Sequence, residues 1–516
     1  WHGGDIQGVI DHLDHIEDLG FGAVWLSPIT ASRTEKIDEW GAFHGYWISD
    51  LGAAEPRFGS LEQAKSLSAE LAKRDMGLYL DMVYNHVGYD TPLVSQHPDW
   101  FHALGDVKDW NDEVQVRTHD VHGLPDLTQS NADVYRDLLR KSTQWITEVD
   151  PTGFRIDAVR HLDAGFLAGF GNDLKAIAGD DFQLLGEVFE GDPVKLAAAL
   201  EQDKLSSVFD FPLHYAMRDV FCDRAHLGRI ASTFAADTNY GDGPPPLVTF
   251  LDNHDRPRIG DCELAPQALA FLLTARGRPS ITYGTEIRLT GAEEPHNRGD
   301  MRFGEDHPMA RDIRTWLKLR ASSEAARTGR TAIHELGSDW LLYSRRVAGE
   351  ALLIAVNLGA EPKPVDVSAL FGDVRVEEGW FVDDVTHTIR TDPQRRKHSV
   401  PAGQVRVWRL QGDIAEIDHE PIGFAKLEII ASGLPGKGVP RLVGAGQLGG
   451  WNPKYGLIGK WVGDGEARFE INRPVGDVLA FKIVVEDGET TWENRSDRYL
   501  LARESKTVHL TWEDAL

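Results

Sequence analysis

The chain has 516 residues, 41% of them apolar, and a formal charge of −27 from 54 basic and 81 acidic side chains. At about 150 residues per domain this length implies three domains, each able to bury a core. No apolar run is long enough to span a bilayer, and so acidic a surface repels nucleic acid; it suits a neutral substrate. The two cysteines, Cys222 and Cys262, are too few for a disulfide framework or a tetrahedral zinc site and read as buried or free thiols.

Short apolar runs alternate with amphipathic segments over residues 1–327. The runs are GAVWLSPI (22–29), GLYLDMVYNH (77–86), GFRIDAVRH (153–161), FQLLGEVF (182–189), SSVFDFP (206–212), PLVTFLDNHD (246–255) and PSITYGTE (279–286). LEQAKSLSAELAKR (61–74) is typical of the helical segments between them. Such alternation implies an α/β fold with a parallel sheet, and this many units implies a (β/α)8 TIM barrel. Seven strands are one short of a closed barrel, and the missing one is expected to precede Trp1. Residues 87–127 have little periodicity and read as a functional inserted loop domain. Short strands then take over: DWLLYSRRV, ALLIAVNLG and VRVWRL. They mark an all-β sandwich over 328–411. A polar linker (412–423) leads to a second β-sandwich over 424–516.

Several barrel strands end in ionisable residues. In GFRIDAVRH, alternation sets Phe154, Ile156 and Ala158 on one face and Arg155 and Asp157 on the other. Buried charge is costly unless paired, so the Arg155–Asp157 face should line the barrel mouth. LLGE ends at Glu187, FLDNHD at His254 and Asp255, and LDMVYNH at Asn85 and His86. Carboxylates at the C-terminal ends of barrel strands read as catalytic, and glycoside hydrolysis needs two carboxyl groups in different environments. Fifteen tryptophans are compatible with sugar stacking, although tryptophan also fills ordinary cores.

DMVYNH, GFRIDAVRH, GEVFEG and FLDNHD resemble, in order and spacing, the four motifs of the alpha-amylase family of glycoside hydrolases. WHGGDIQGVIDHLDHIEDLGFGAVWLSP, FHGYWISDLGAAEPRFGS, LPDLTQSN and YGTE extend the likeness across the barrel. The resemblance implies that Asp157 is the nucleophile, Glu187 the general acid/base and Asp255 the stabiliser of the transition state. Arg155 would hold Asp157 ionised, His86 and His254 would bond the sugar, and Tyr46 would stack beneath it. Glu294 and Arg298 would bind the next donor-side sugar, with Glu where relatives have Asp. Arg160 stands where most relatives have Lys. The likeness also implies a structural calcium held by Asn85, Asp126 and the carbonyl of His161, and no organic cofactor.

QLGGWNP (447–453), LAFKIVV (479–485) and TTWENRSDRY (490–499) resemble the starch-binding domain of glucoamylases and cyclodextrin glucanotransferases. Trp451 and Trp492 would stack on sugar and Lys482 would donate to it. Asp497 replaces the usual Asn. The expected activity is retaining cleavage of α-1,4-glucosidic bonds of starch and maltodextrins, by a secreted enzyme. A glucanotransferase is the first alternative and a non-catalytic starch-binding protein the second. His122 stands where cyclodextrin-forming relatives carry the aromatic ring that curls the chain, which favours linear products. Phe189 stands where an aromatic residue favours transfer.

Overall fold

A computed structural model describes residues 3–37, 41–383, 385–389, 395–417 and 423–512. Residues 418–422 of the expected linker lie outside the described set. The chain divides into two compact units, residues 1–211 with 246–248, and residues 212–245 with 249–516.

All seven expected barrel strands form: β1 (Ala23–Leu26), β2 (Gly77–Met82), β3 (Gly153–Ile156), β4 (Gln183–Gly186), β5 (Ser207–Phe209), β6 (Leu247–Phe250) and β7 (Arg278–Ser280). They lie side by side in chain order. Neighbours from β1 to β6 pair in parallel, which requires crossover connections. Each strand is shorter than its apolar run in the sequence. The polar last residues of DMVYNH and FLDNHD leave the ladder, which frees their side chains for other partners.

Helices supply the crossovers. In α1 (Leu61–Ala72), Ser60 and Gln63 form a reciprocal capping box, and Ala64, Leu67 and Leu71 make the buried stripe. In α2 (Ala132–Val149), Asn131 caps the N-terminus and Val134, Leu138, Trp145, Ile146 and Val149 are buried. Next come α3 (Phe166–Ala178), α4 (Pro193–Gln202), α5 (Phe211–Phe221), α6 (Gly228–Ala235), α7 (Ala265–Thr274) and α8 (Pro308–Ser322).

Cys222, just beyond α5, and Cys262 form a disulfide across 40 residues of sequence. This corrects the expectation of buried or free thiols. The fold brings the two Cα atoms to 4.9 Å, within bridging range, and sequence spacing alone could not show this.

Beyond the barrel, β8 (Arg330–Leu336) and β9 (Trp340–Val347) open a six-stranded sheet that continues through Glu350–Asn357, Gln404–Gly412, Val374–Val382 and Thr386–Ile389. Its core includes Leu342, Leu353, Val376, Trp408 and Leu410. The C-terminal sandwich contains β10 (Val478–Asp487), β11 (Glu489–Trp492) and β12 (Arg498–Leu501), with β11 and β12 both paired to β10. Leu479, Phe481, Ile483 and Val485 alternate into its core. Among the described residues no helix is long and apolar enough to cross a membrane.

Candidate active site

In the first unit the strand register assembles a charged cluster. Asp81 of β2 pairs with Arg155 of β3, and Ile156 pairs with Gly186 of β4. Asp157 and Glu187 are therefore the next residues on adjacent parallel strands. Their amides still follow the ladder, Asp157 donating to Met82 O at 3.0 Å and Glu187 to Ile156 O at 2.9 Å. Neighbouring strands lie about 4.8 Å apart, so the two side chains leave the same end of the sheet side by side.

Arg155 is fully buried at the centre. Its Nη1 bonds Asp81 Oδ1 at 2.8 Å and Asp157 Oδ1 at 2.6 Å, and its Nη2 meets Glu187 Oε1 at 2.5 Å. One guanidinium thus faces three buried carboxyl groups. Two negative charges would remain uncompensated if all three ionised, which favours retention of a proton in the cluster. The Ala158 amide donates to Glu187 Oε2 at 3.3 Å, from a residue in the left-handed region (φ +50°). Tyr46 Oη and Trp25 Nε1 donate to Asp81 Oδ2 at 2.8 and 3.2 Å. Both rings lie against the guanidinium, 5.7 and 5.2 Å from its carbon.

Sequence reasoning missed Asp81 and Trp25. The signal for Asp81 was a carboxylate inside an otherwise apolar strand, in register with Arg155. His86 donates from Nε2 to Tyr46 O at 3.2 Å, and burial pushes its pKa down.

The inserted segment is tied to the end of β3 by polar bonds. His161 Nδ1 donates to Val116 O, and Arg117 to Leu162 O, both at 2.8 Å. Arg160 Nη2 donates to Trp110 O at 3.3 Å and lies 3.4 Å from Glu113. Trp110 is exposed and sets its ring edge-on to His161. The His122 backbone is left-handed, its carbonyl accepts from Tyr89 Oη at 2.6 Å, and its side chain is exposed. Phe189 is partly exposed and packs on Phe211 with ring centroids 4.2 Å apart.

Oxygen donors remain unsatisfied where the end of this segment meets the residues after β2. Both side-chain polar atoms of Asn85, and Oδ1 of Asp126, are buried without a hydrogen-bond partner. Such oxygens are what a hard cation takes, so these two residues fit calcium. Asp126 Oδ2 accepts from His102 Nδ1 at 2.6 Å. Burial pushes Asp126 up to about 7, and His102 is pushed up to about 9 by its bonds to Asp126 and Asp163. Among the described residues no group of three or more His, Cys, Asp or Glu is arranged to hold a metal.

The second unit holds a separate cluster. Asp255 Oδ2 lies 3.0 Å from His254 Nε2, and its Oδ1 lies 3.3 Å from Arg298 Nη2. Arg298 Nε in turn lies 3.2 Å from Glu294 Oε1. In the C-terminal sandwich, Trp451 and Trp492 are 37% and 39% exposed, and Lys482 is partly exposed on β10.

A buried arginine bridging three carboxyl groups at the ends of parallel strands matches the motif pattern, and comparison with known proteins decides the family. The model of the alpha-amylase catalytic domain matches residues 2–331. The chain belongs to the alpha-amylase family. A relative in the family, beta/alpha-amylase of Paenibacillus polymyxa, is 30% identical over 379 residues, covering 69% of this chain and 30% of that protein. Alpha-amylase of Saccharomycopsis fibuligera is 31% identical over 57% of this chain and 62% of its own length. The chain thus spans less than two thirds of these two relatives. Cyclomaltodextrin glucanotransferase of Klebsiella oxytoca is 27% identical over 87% of this chain and 78% of its own. Among solved structures, the acarbose complex of alpha-amylase from Geobacillus thermoleovorans has a TM-score of 0.71 and 31% identity, covering 80% of this chain and 94% of that one. A gamma-type glucanotransferase from Bacillus clarkii shares the fold along the whole chain, with a TM-score of 0.71 at 20% identity.

Proposed function

We propose that the chain is a retaining hydrolase of α-1,4-glucosidic bonds in starch and maltodextrins. The observation that carries this reading is Arg155, bonded at once to Asp81, Asp157 and Glu187. The guanidinium holds Asp157 aimed as a nucleophile, and the crowding of three carboxyl groups around one cation favours a proton on Glu187.

In the first step a carboxylate oxygen of Asp157 bonds the anomeric carbon as the glycosidic C–O bond breaks. Glu187 gives its proton to the departing sugar oxygen. In the second step Glu187 takes a proton from water, whose oxygen displaces Asp157 from the anomeric carbon. By the motif resemblance, Asp255 and His254 would bond sugar hydroxyls, Glu294 and Arg298 the adjacent donor sugar, and Tyr46 and His86 the sugar being cleaved.

Water rather than sugar is the proposed main acceptor, because His122 offers less apolar surface for curling a glucan than an aromatic ring would. The transferase reading is favoured by exposed Phe189 and by the likeness to the Klebsiella oxytoca glucanotransferase. Chromatography of products from dilute soluble starch separates the two. Linear maltooligosaccharides are expected. A dominant cyclic product, or disproportionation of maltotriose with no gain of reducing ends, would overturn the hydrolase reading.

The exposed Trp451 and Trp492 support a starch-binding role for the C-terminal sandwich. Asn85 and Asp126 are proposed to hold a structural calcium that supplies charge for cross-linking the inserted segment. Removing the ion with a chelator should lower the unfolding midpoint. The Cys222–Cys262 bridge supports export, since such bonds persist in oxidising compartments.

A further inference from the structure

We propose that the C-terminal sandwich is a docked part of the second unit rather than a freely tethered module, with helix α6 and the β8–β9 hairpin as its seat. The docking argument is independent of the ligand. Its functional consequence, a fixed orientation for the glucan-binding edge at Trp451, Lys482 and Trp492, rests on the starch-binding reading.

Helix α6 has two packed sides. Phe234 near its end meets Phe271 of α7 at 5.9 Å and Tyr343 of β9 at 5.4 Å between centroids. A helix laid on a single core would turn a polar face outward. Here Gly228, Ile230, Ala231, Thr233 and Phe234 are all buried. At the start of the helix, Leu227 N donates to Ser338 O in the β8–β9 turn at 2.9 Å, and Gly228 N donates to His226 Nδ1 at 2.8 Å.

The sandwich covers the other side. Tyr499 of β12 is 8% exposed, and its ring lies 4.9 Å from that of His226. A Cβ at Gly228 would stand 2.1 Å from Tyr499 Cγ, so only glycine admits this approach. Arg503, two residues beyond β12, donates from Nη1 to His334 O of β8 at 2.8 Å.

The sheet itself carries the same imprint. Ala480, Lys482 and Val484 alternate on the face of β10 that points away from the sandwich core, and Tyr499 pairs with Ala480. Ala480 and Val484 are nonetheless buried, and α6 packs against β10. A tethered module would leave that face in water. Trp492 pairs with Val484, so the proposed glucan edge borders the seat.

The test is a double-mutant cycle on the full chain, read by thermal unfolding. On a helix face in water, Gly228→Ala would raise the midpoint, because alanine is the better helix former. Docking reverses the sign: Gly228→Ala should lower the midpoint by about 2–5 °C, since the new methyl meets the Tyr499 ring. In a Tyr499→Ala background, where that ring is gone, the same substitution should be neutral or stabilising. Tyr499→Leu serves as the background if the alanine variant does not fold. A rise with Gly228→Ala in both backgrounds would overturn the docking. The starch-binding reading is tested apart from this, by adsorption to granular starch. If Trp492→Ala adsorbs like the parent while the cycle shows coupling, the ligand assignment fails and the docking stands.

Discussion

Asp81 offers the sharpest test of the active-site reading, because it bonds Arg155, the residue that holds Asp157 and Glu187. Asp81→Asn keeps the shape of the side chain and removes one negative charge from the cluster. Asp81 and Asp157 share Arg155 Nη1, at 2.8 and 2.6 Å, which sets their oxygens about 5 Å apart and never more than the sum of the two bonds. At an effective dielectric of about 20, two like charges about 5 Å apart repel by about 3 kcal/mol, or roughly 2 pH units. Removing that repulsion eases ionisation of the cluster, so the pH–rate profile as a whole should move to lower pH, by about 1–2 units. Lost support for Tyr46 and Arg155 should also reduce turnover about 10–100-fold, the usual scale for groups that orient a reacting residue. The assay is the pH dependence of kcat/KM on soluble maltodextrin, with circular dichroism to confirm folding. A folded variant of normal turnover with an unmoved profile would refute the idea that three carboxyl groups share one guanidinium.

Replacing both Trp451 and Trp492 with alanine should weaken adsorption to granular starch about 5–100-fold, at ~0.5–1.5 kcal/mol per stacked ring; depletion from solution by washed granules measures this. Cys222→Ser should lower unfolding free energy by about 4 kcal/mol if loop entropy over the 40-residue separation governs, read from the denaturant midpoint without reductant. His214 is fully buried, stacked 4.4 Å from Phe250, and burial pushes it down to about 3. It therefore stays neutral in the folded chain while the unfolded chain takes up a proton near pH 6.5. Its stability contribution is complete above that pH and falls as pH drops toward 3, by about 2 kcal/mol at pH 5. His214→Gln should flatten this acid-side loss in denaturant titrations at pH 7 and pH 5, and an unchanged slope would count against a neutral buried imidazole.

The element types of the barrel are legible in the amino-acid order alone. Each strand is an apolar run bounded by turn residues, and each crossover helix carries an apolar stripe at helical spacing, as in Leu61–Ala72. These periodicities are local, so they are legible without tertiary information. The same holds for Asp157 and Glu187, because a carboxylate closing an apolar strand is conspicuous on its own.

Register and long-range approach enter with the folded chain. Asp81 gained a role only when β2 paired with β3 and set it opposite Arg155, 74 residues away. Cys222 and Cys262 became a bridge only when the segments after α5 and β6 came within 4.9 Å. Gly228 has no local reason to be glycine, and it is the ring of Tyr499, far along the chain, that requires it. Local propensity is written residue by residue. Pairing, burial and shared charge belong to residues distant in sequence, and the fold alone brings them together.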